Sequence, residues 1–352
     1  MALKVWDGFD HYNQEADFNS RSGFLQWNIT TAPNFITGRN GNGLALQTQF
    51  LGGNTLTGTM GQRVAAAFIG IAANAASGAG MVYTFGDSVA GSPQISVAFD
   101  PTNFTVGIYR GNSPLTSPTG TLLYLSANNV WAANVYNFIE IFPTINGSTG
   151  SVVVNINGVT VASISGANTQ NTANAWWDTL AIRTYNNVSL ALDDFYYADT
   201  TTGPGTYPCD NFLGDSRVAT LFATGNDAVQ WTPLTSTNWV EVSEVAMDSD
   251  TSYNSTATPG DQDTYTFGAL SGTITTIYGV QITTAQRKDD ASPRTTKSVL
   301  KISSTDYYGT TNSLPTSTYA YFTDLWILDP ATSANWTVSD VNAATYGIQC
   351  VS

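Results

Sequence analysis

The sequence predicts an all-β chain built as two tandem β-sandwich or jelly-roll domains. Helical periodicity is almost absent, and short apolar runs recur between turn residues along the whole chain. A stretch rich in Thr, Gly and Pro separates two such series of runs. Many short strands with frequent turns are the pattern of sandwiches and jelly rolls. The boundaries predicted are a first domain over 1–199, a linker over 200–208 and a second domain over 209–352.

In the first half, Leu44–Gln49 alternates after a turn at Gly41–Gly43. Gln94–Phe99 and Phe104–Tyr109 flank an Asp-Pro-Thr-Asn turn, and Leu122–Leu125 and Tyr136–Phe142 read as further strands. Val152–Ile164 is the clearest hairpin, because Asn157-Gly158 is the preferred two-residue type I′ pair. A plain two-residue loop sets Ile156 opposite Val159 and Val154 opposite Val161, with these four on one buried face. Leu180–Tyr185 and Leu190–Tyr197 complete the set. In the second half the strand candidates are Thr264–Phe267, Thr276–Gln286, Ser298–Ser303, Ala320–Leu328 and Tyr346–Val351. One helical turn is expected over Ser339–Ala344.

Charged residues make up 11% of the chain, against about 25% in ordinary globular proteins, while 42% is apolar and 12% aromatic. That composition argues for a folded protein that leans on neighbours for solubility. The net charge of −14 divides into −5 for residues 1–200 and −9 for residues 201–352, so both halves repel a phosphate backbone and nucleic acid is not an expected partner. The basic run from Arg287 to Lys301 is interrupted by Asp289 and Asp290 and reads as a solvated hairpin. No run approaches the roughly 18 apolar residues of a membrane span, so no membrane insertion is expected. The start of the sequence lacks an apolar signal core, and release from a cell by lysis fits that pattern better than secretion. Cys209 and Cys350 either clasp the ends of the second half or remain buried thiols.

Gly8–Tyr12 (GFDHY), Gly41–Leu46 (GNGLAL), Tyr136–Ser163 and Leu190–Asp199 (LALDDFYYAD) together resemble a concanavalin A-like, or laminin-G-like, sandwich of the kind found in structural proteins of tailed bacteriophages. Phe212–Phe222, Trp239–Asn254 and Leu325–Cys350 resemble the second part of the same proteins. The resemblance implies a virion location, other virion proteins and copies of this chain as partners, and tail, baseplate, fibre-associated or capsid-decorating roles.

The candidate sites are few. Glucanases of this fold need two carboxylates on one strand face. Glu140 is alone on its strand, and Glu241 and Glu244 are three apart. His11 has no nucleophile beside it. Asp248, Asp250, Ser252 and Asn254 alternate like a calcium loop, but Tyr253 and Pro259 stand where an EF-hand needs Gly and Glu. Asp193 and Asp194 are adjacent in an apolar strand and are expected on opposite faces. One carboxylate then needs a partner, either Arg183 or a calcium ion, the one cofactor the sequence suggests. Trp176, Trp177 and Asp178 form the best local candidate for stacking on a sugar. The alternative puts one Trp in the core and the other in a subunit contact. The expectation is a non-enzymatic virion structural protein, with a module binding host-surface glycan as the second reading and a glycoside hydrolase as the third.

Overall fold

The structure, a computed structural model, describes residues 2–12, 25–29, 33–41, 43–49, 55–113, 120–185, 188–200, 211–245 and 247–352. The expected linker therefore lies almost wholly outside the described residues, as does Cys209, while Cys350 is a buried free thiol.

Two antiparallel sheets fill the first half. With strands numbered in chain order, the eight-stranded sheet runs β13 (Val159–Ala167), β12 (Gly150–Ile156), β11 (Asn137–Thr144), β6 (Ala67–Ala75), β15 (Ser189–Asp199), β4 (Leu44–Gln49), β3 (Asn34–Thr37), and β1 (Ala2–Asp7) also pairs with β15. The seven-stranded sheet runs β10 (Thr121–Leu125), β9 (Thr105–Arg110), β8 (Ser92–Asp100), β7 (Gly80–Asp87), β14 (Trp177–Tyr185), β5 (Thr55–Val64), β2 (Leu25–Ile29). In the second half a six-stranded sheet runs β16 (Ala223–Ala228), β19 (Gln262–Phe267), β25 (Thr345–Cys350), β21 (Thr295–Ile302), β22 (Thr305–Tyr308), with β23 (Asn312–Ser313) on β21. Two small pairs, β17 (Thr232–Pro233) with β18 (Asn254–Ser255) and β20 (Val280–Gln286) with β24 (Ala320–Trp326), complete it. The chain is all-β. Among the described residues every strand pairing stays within one half. The helical turn is α1 (Val338–Ala343), closed by a capping box in which Thr337 and Asp340 exchange hydrogen bonds.

The inner faces of the first two sheets make one core. Leu46, Ile69, Ile71, Ile139 and Leu192 from one sheet meet Trp27, Tyr83, Phe85, Val97 and Ile182 from the other. The outer face of the eight-stranded sheet is also apolar. Phe68, Ala72, Phe138 and Tyr196 lie under Leu213, Tyr278, Leu325 and Ile327 of the second half. The pair β20–β24 is the shared layer. Tyr321 and Leu325 turn toward the first half, while Ile282 and Trp326 enter a third core with Leu300, Trp336 and Tyr346. Burial on both faces explains why β6 escapes a search for alternation: its sequence, AFIGIAANA, is apolar or small at every position but Asn74.

The hairpin at Asn157-Gly158 forms, with both turn residues left-handed at φ 50° and 80°. Its register differs from a plain two-residue loop. A bulge after Asn155↔Thr160 sets Ala162, rather than Val161, opposite Val154. Val152, Val154 and Ile156 are core residues, but Val159 is 64% exposed, because β13 is the edge of its sheet. Thr160 lies on the other face and donates to Asn155 Oδ1 at 2.8 Å.

Val154→Asp places a carboxylate in the core and should cost about 3 kcal/mol or more. Thr160→Asp loses one part-buried hydrogen bond at an exposed residue and should cost about 1 kcal/mol. Thermal melts of the two variants check this, and equal losses would mean that the Thr160 face is covered too.

Candidate functional site

Asp193 and Asp194 do not point to opposite faces. Asp194 is left-handed at φ 52°, and the register with β6 jumps between Asp193 and Tyr196. This bulge carries both carboxylates toward Arg39, in the 3-10 turn Arg39–Gly41. The Arg39 amide donates to Asp193 Oδ2 at 2.7 Å, and its guanidinium pairs with Asp194 at 3.1 Å. The bulge sits where one edge of β15 passes from β4, paired over Ser189–Leu192, to β1, paired over Phe195–Asp199. Arg183, the partner expected from sequence, belongs to the other sheet. Asp193 Oδ1 accepts from the Asp194 amide and Asp194 Oδ1 from the Val218 amide, so protein donors meet both carboxylates. Among the described residues no group of three or more His, Cys, Asp or Glu converges to hold a cation.

These acids belong to a polar seam that fastens the segment 213–220. Glu140 accepts from Tyr196 Oη at 2.7 Å and from the Gly214 amide at 2.9 Å. Arg39 also pairs with Asp215 at 2.6 Å and donates to the Ser216 carbonyl. Asp10 accepts from the Leu44 amide and the Thr220 hydroxyl, both at 2.5 Å. A Cβ on Gly43, at φ 62°, would stand 2.0 Å from the Asp10 carboxylate, which explains the glycine. Burial pushes Asp10 up to about 6 and raises Glu140, Asp193 and Asp194 as well, the mutual repulsion of the last two adding to the rise in Asp193.

The tryptophan pair divides. Trp177 is fully buried against Phe85 and Tyr197. Trp176 is half-buried, and the Arg63 guanidinium lies 4.5 Å from its ring centre. Asp178 is buried and accepts from the Ser88 amide and hydroxyl. One ring face of Trp176 is thus already stacked. The residues resembling a calcium loop are also engaged by protein groups: Asp248 accepts from the Ser252 amide and hydroxyl, and Asp250 pairs with Arg287 outside the loop. Glu241 lies in a 3-10 turn rather than a strand and ties down Thr235, Ser236 and Tyr253.

The feature that sequence reading missed is on the outer face of the seven-stranded sheet. A hollow of about 230 Å³ is lined by Ala98, Asp100, Asn103, Gly107, Tyr109 and Leu125, among others. The Tyr109 ring folds back over Gly107, where a Cβ would stand 2.7 Å from its Cε2, so the glycine leaves room for the ring close to the sheet. Burial and the Asp100 carboxylate raise the Tyr109 hydroxyl above its usual range. Asp100 is held by the Thr102 and Asn103 amides, which fixes the rim. Leu125 and Leu122 stand exposed on β10 beside it. The sequence signal was Gly-x-Tyr within one strand next to a polar turn. A second, shallower cleft of about 340 Å³ lies between Tyr308–Thr310 and Asp324–Trp326.

No protein-family model matches the chain, and no curated protein matches it. Among solved structures it is similar to a carbohydrate-binding module from Bacillus subtilis at 7% identity, covering 49% of this chain and 95% of that one, with a TM-score of 0.33. A protein of unknown function with a galectin-like fold from Bacillus subtilis matches at 8% identity over 56% and 96%, TM-score 0.37. The carbohydrate-binding module of the evolved Dit of Lactobacillus casei BL23 phage J-1 matches at 12% over 56% and 94%, TM-score 0.35.

Arg39→Met leaves buried acids without their cation and should cost about 3–5 kcal/mol in a denaturant melt. The pH dependence follows from the sign of the shifts. A carboxyl raised in the fold holds its proton more tightly there than in the unfolded chain. Its contribution is complete below the unfolded value of 3.8 and is lost as pH rises through about 6 for Asp10. Melting temperature should therefore fall between about pH 4 and pH 6, and Asp10→Asn should flatten that slope. An unchanged slope in the variant would assign the dependence to other groups.

Proposed function

We propose that the protein is a glycan-binding module and that the Tyr109 hollow takes the sugar. The observation behind this reading is the aromatic floor. A flat ring with one face against the sheet offers its other face to the apolar side of a pyranose, while Asn103, Asn128 and Asp100 stand at the rim to meet hydroxyls. At about 230 Å³ the hollow is smaller than the roughly 300 Å³ at which drug-sized pockets begin, and it suits one ring. The role is binding without hydrolysis. An oligosaccharide array followed by calorimetry tests the proposal. Tyr109→Ala should weaken the best ligand by roughly tenfold or more, the loss of one aromatic contact. Full binding by that variant would overturn the assignment.

A second reading places the chain as a structural protein on a tailed-phage virion, in contact with its own copies. The sequence resemblance motivates it, and one surface favours self-contact. Val229, Leu234, Val240, Val242 and Val245 are all exposed within one short stretch of the second half. Sedimentation at increasing concentration should show association that Val240→Lys with Val242→Lys abolishes. A wild-type chain that stays monomeric throughout would remove the support for this surface.

A further inference from the structure

The Tyr109 hollow is open to solvent and carries one charge. Ala98, Thr105 and Gly107 form its buried bottom, Asp100 and Tyr109 are half-buried, and Asn103, Leu125 and Asn128 at the rim are exposed. Asp100 is the one charged side chain among the described residues that line it. Ala98 and Leu125 make the surroundings partly apolar, so a charge there acts more strongly than on open surface.

Strand register puts the carboxylate and the ring within reach of one ligand. Val97, Phe99, Val106 and Ile108 face the core, so Ala98, Asp100, Thr105, Gly107 and Tyr109 lie on the outer face. Asp100 is opposite Thr105, and Ala98 is opposite Gly107. The Tyr109 side chain folds back along β9, and its Oη comes within 2.9 Å of where a Cβ on Gly107 would stand. The hydroxyl end of the ring is thus one same-face row from Asp100, two residues or about 7 Å along the strands. Burial, and then the Asp100 charge, raise that hydroxyl above its usual range, so the carboxylate acts on it directly. The turn fixes Asp100 in place: Oδ1 accepts from the Thr102 amide, and Oδ2 from the Asn103 amide and side chain. A carboxylate accepts about four hydrogen bonds, so Asp100 keeps capacity for a ligand's donor.

We infer that the sugar taken by the hollow is an amino sugar with a free ammonium group, such as a glucosamine unit, its ammonium on Asp100 and its ring against Tyr109. An ammonium only donates, and its bond to a carboxylate is roughly twice as strong as one between neutral groups. The electron-rich face of a tyrosine attracts the same cation. An acidic sugar meets the reverse. No Lys or Arg is among the described residues lining the hollow, and both Asp100 and the net charge of −14 repel it. This inference rests on the glycan-binding reading and adds the class of sugar.

Calorimetry of the full chain with three disaccharides of one linkage tests it: diglucosamine, its N-acetylated form and the glucose counterpart, in a mildly acidic buffer that keeps the amine protonated. Diglucosamine should bind roughly tenfold tighter or more than either neutral sugar. Asp100→Asn keeps the side-chain shape and removes one of the fourteen net negative charges. It should bring diglucosamine down to the level of the neutral sugars measured on the same variant, while Tyr109→Ala should weaken all three together. Melting curves show whether each variant is folded. A second measurement needs only the wild type: the preference should vanish as pH rises through the titration of the amine. Neutral sugars that bind as tightly as diglucosamine, or a preference that survives either Asp100→Asn or the neutralised amine, overturn this inference and leave the glycan module standing. Failure of wild-type protein to bind any saccharide overturns both.

Discussion

The pairing of Arg39 with the bulged carboxylates of Asp193 and Asp194 is the interaction on which the arrangement of the two halves depends. β15 serves two partners along one edge, β4 and then β1, and a regular strand offers no gap at which to change from one to the other. The bulge makes that gap, and Arg39 fills it from the turn that leads into β4. The same guanidinium then holds Asp215 and Ser216, so the first turns of the second half are moored at the point where the first sheet is irregular. Removing water from so many charges is expensive. Such a cluster contributes more to a unique arrangement than to raw stability.

The two outer faces of the first sandwich differ for a related reason. The outer face of the eight-stranded sheet carries Phe68, Phe138 and Tyr196 and is closed by Leu213, Tyr278 and Leu325. Burial of each such side chain contributes about 1.5–3 kcal/mol, so this wall is adhesive and unavailable to a small ligand. On the outer face of the seven-stranded sheet the small residues Ala98 and Gly107 lie between Tyr109, Leu125 and Asn103 around a hollow. Low residues flanked by taller ones make relief on a sheet, and relief with mixed polarity is what a sugar needs. One face thus serves cohesion, and the opposite one carries the hollow proposed to take a sugar.

Charge follows the same division. The basic run from Arg287 to Lys301 is largely spoken for within the second half: Arg287 on Asp250, Arg294 on Asp290, Lys301 on Asp227, and Lys297 over the Tyr308 ring. In an acidic chain with few cations, most of them pair locally. Arg183 departs from that pattern, since its Nε meets no acceptor among the described residues.

By itself the sequence determined the class of fold, most of the strands that face water on one side, the type I′ turn at Asn157-Gly158 and the helical turn before β25. These are written in local spacing and in turn chemistry, which act over a few residues. It also separated Trp176 from Trp177, since neighbours on a strand face opposite ways. The tertiary structure decided everything that breaks local periodicity. A bulge moved Ala162 opposite Val154, and a left-handed Asp194 turned two carboxylates to one side. Burial on both faces erased the alternation that would have marked β6. It alone placed Arg183 in the same cross-strand row as Gly107, 76 positions away in the chain, because register between distant strands is set by the packing of a whole sheet and has no signature in a single segment.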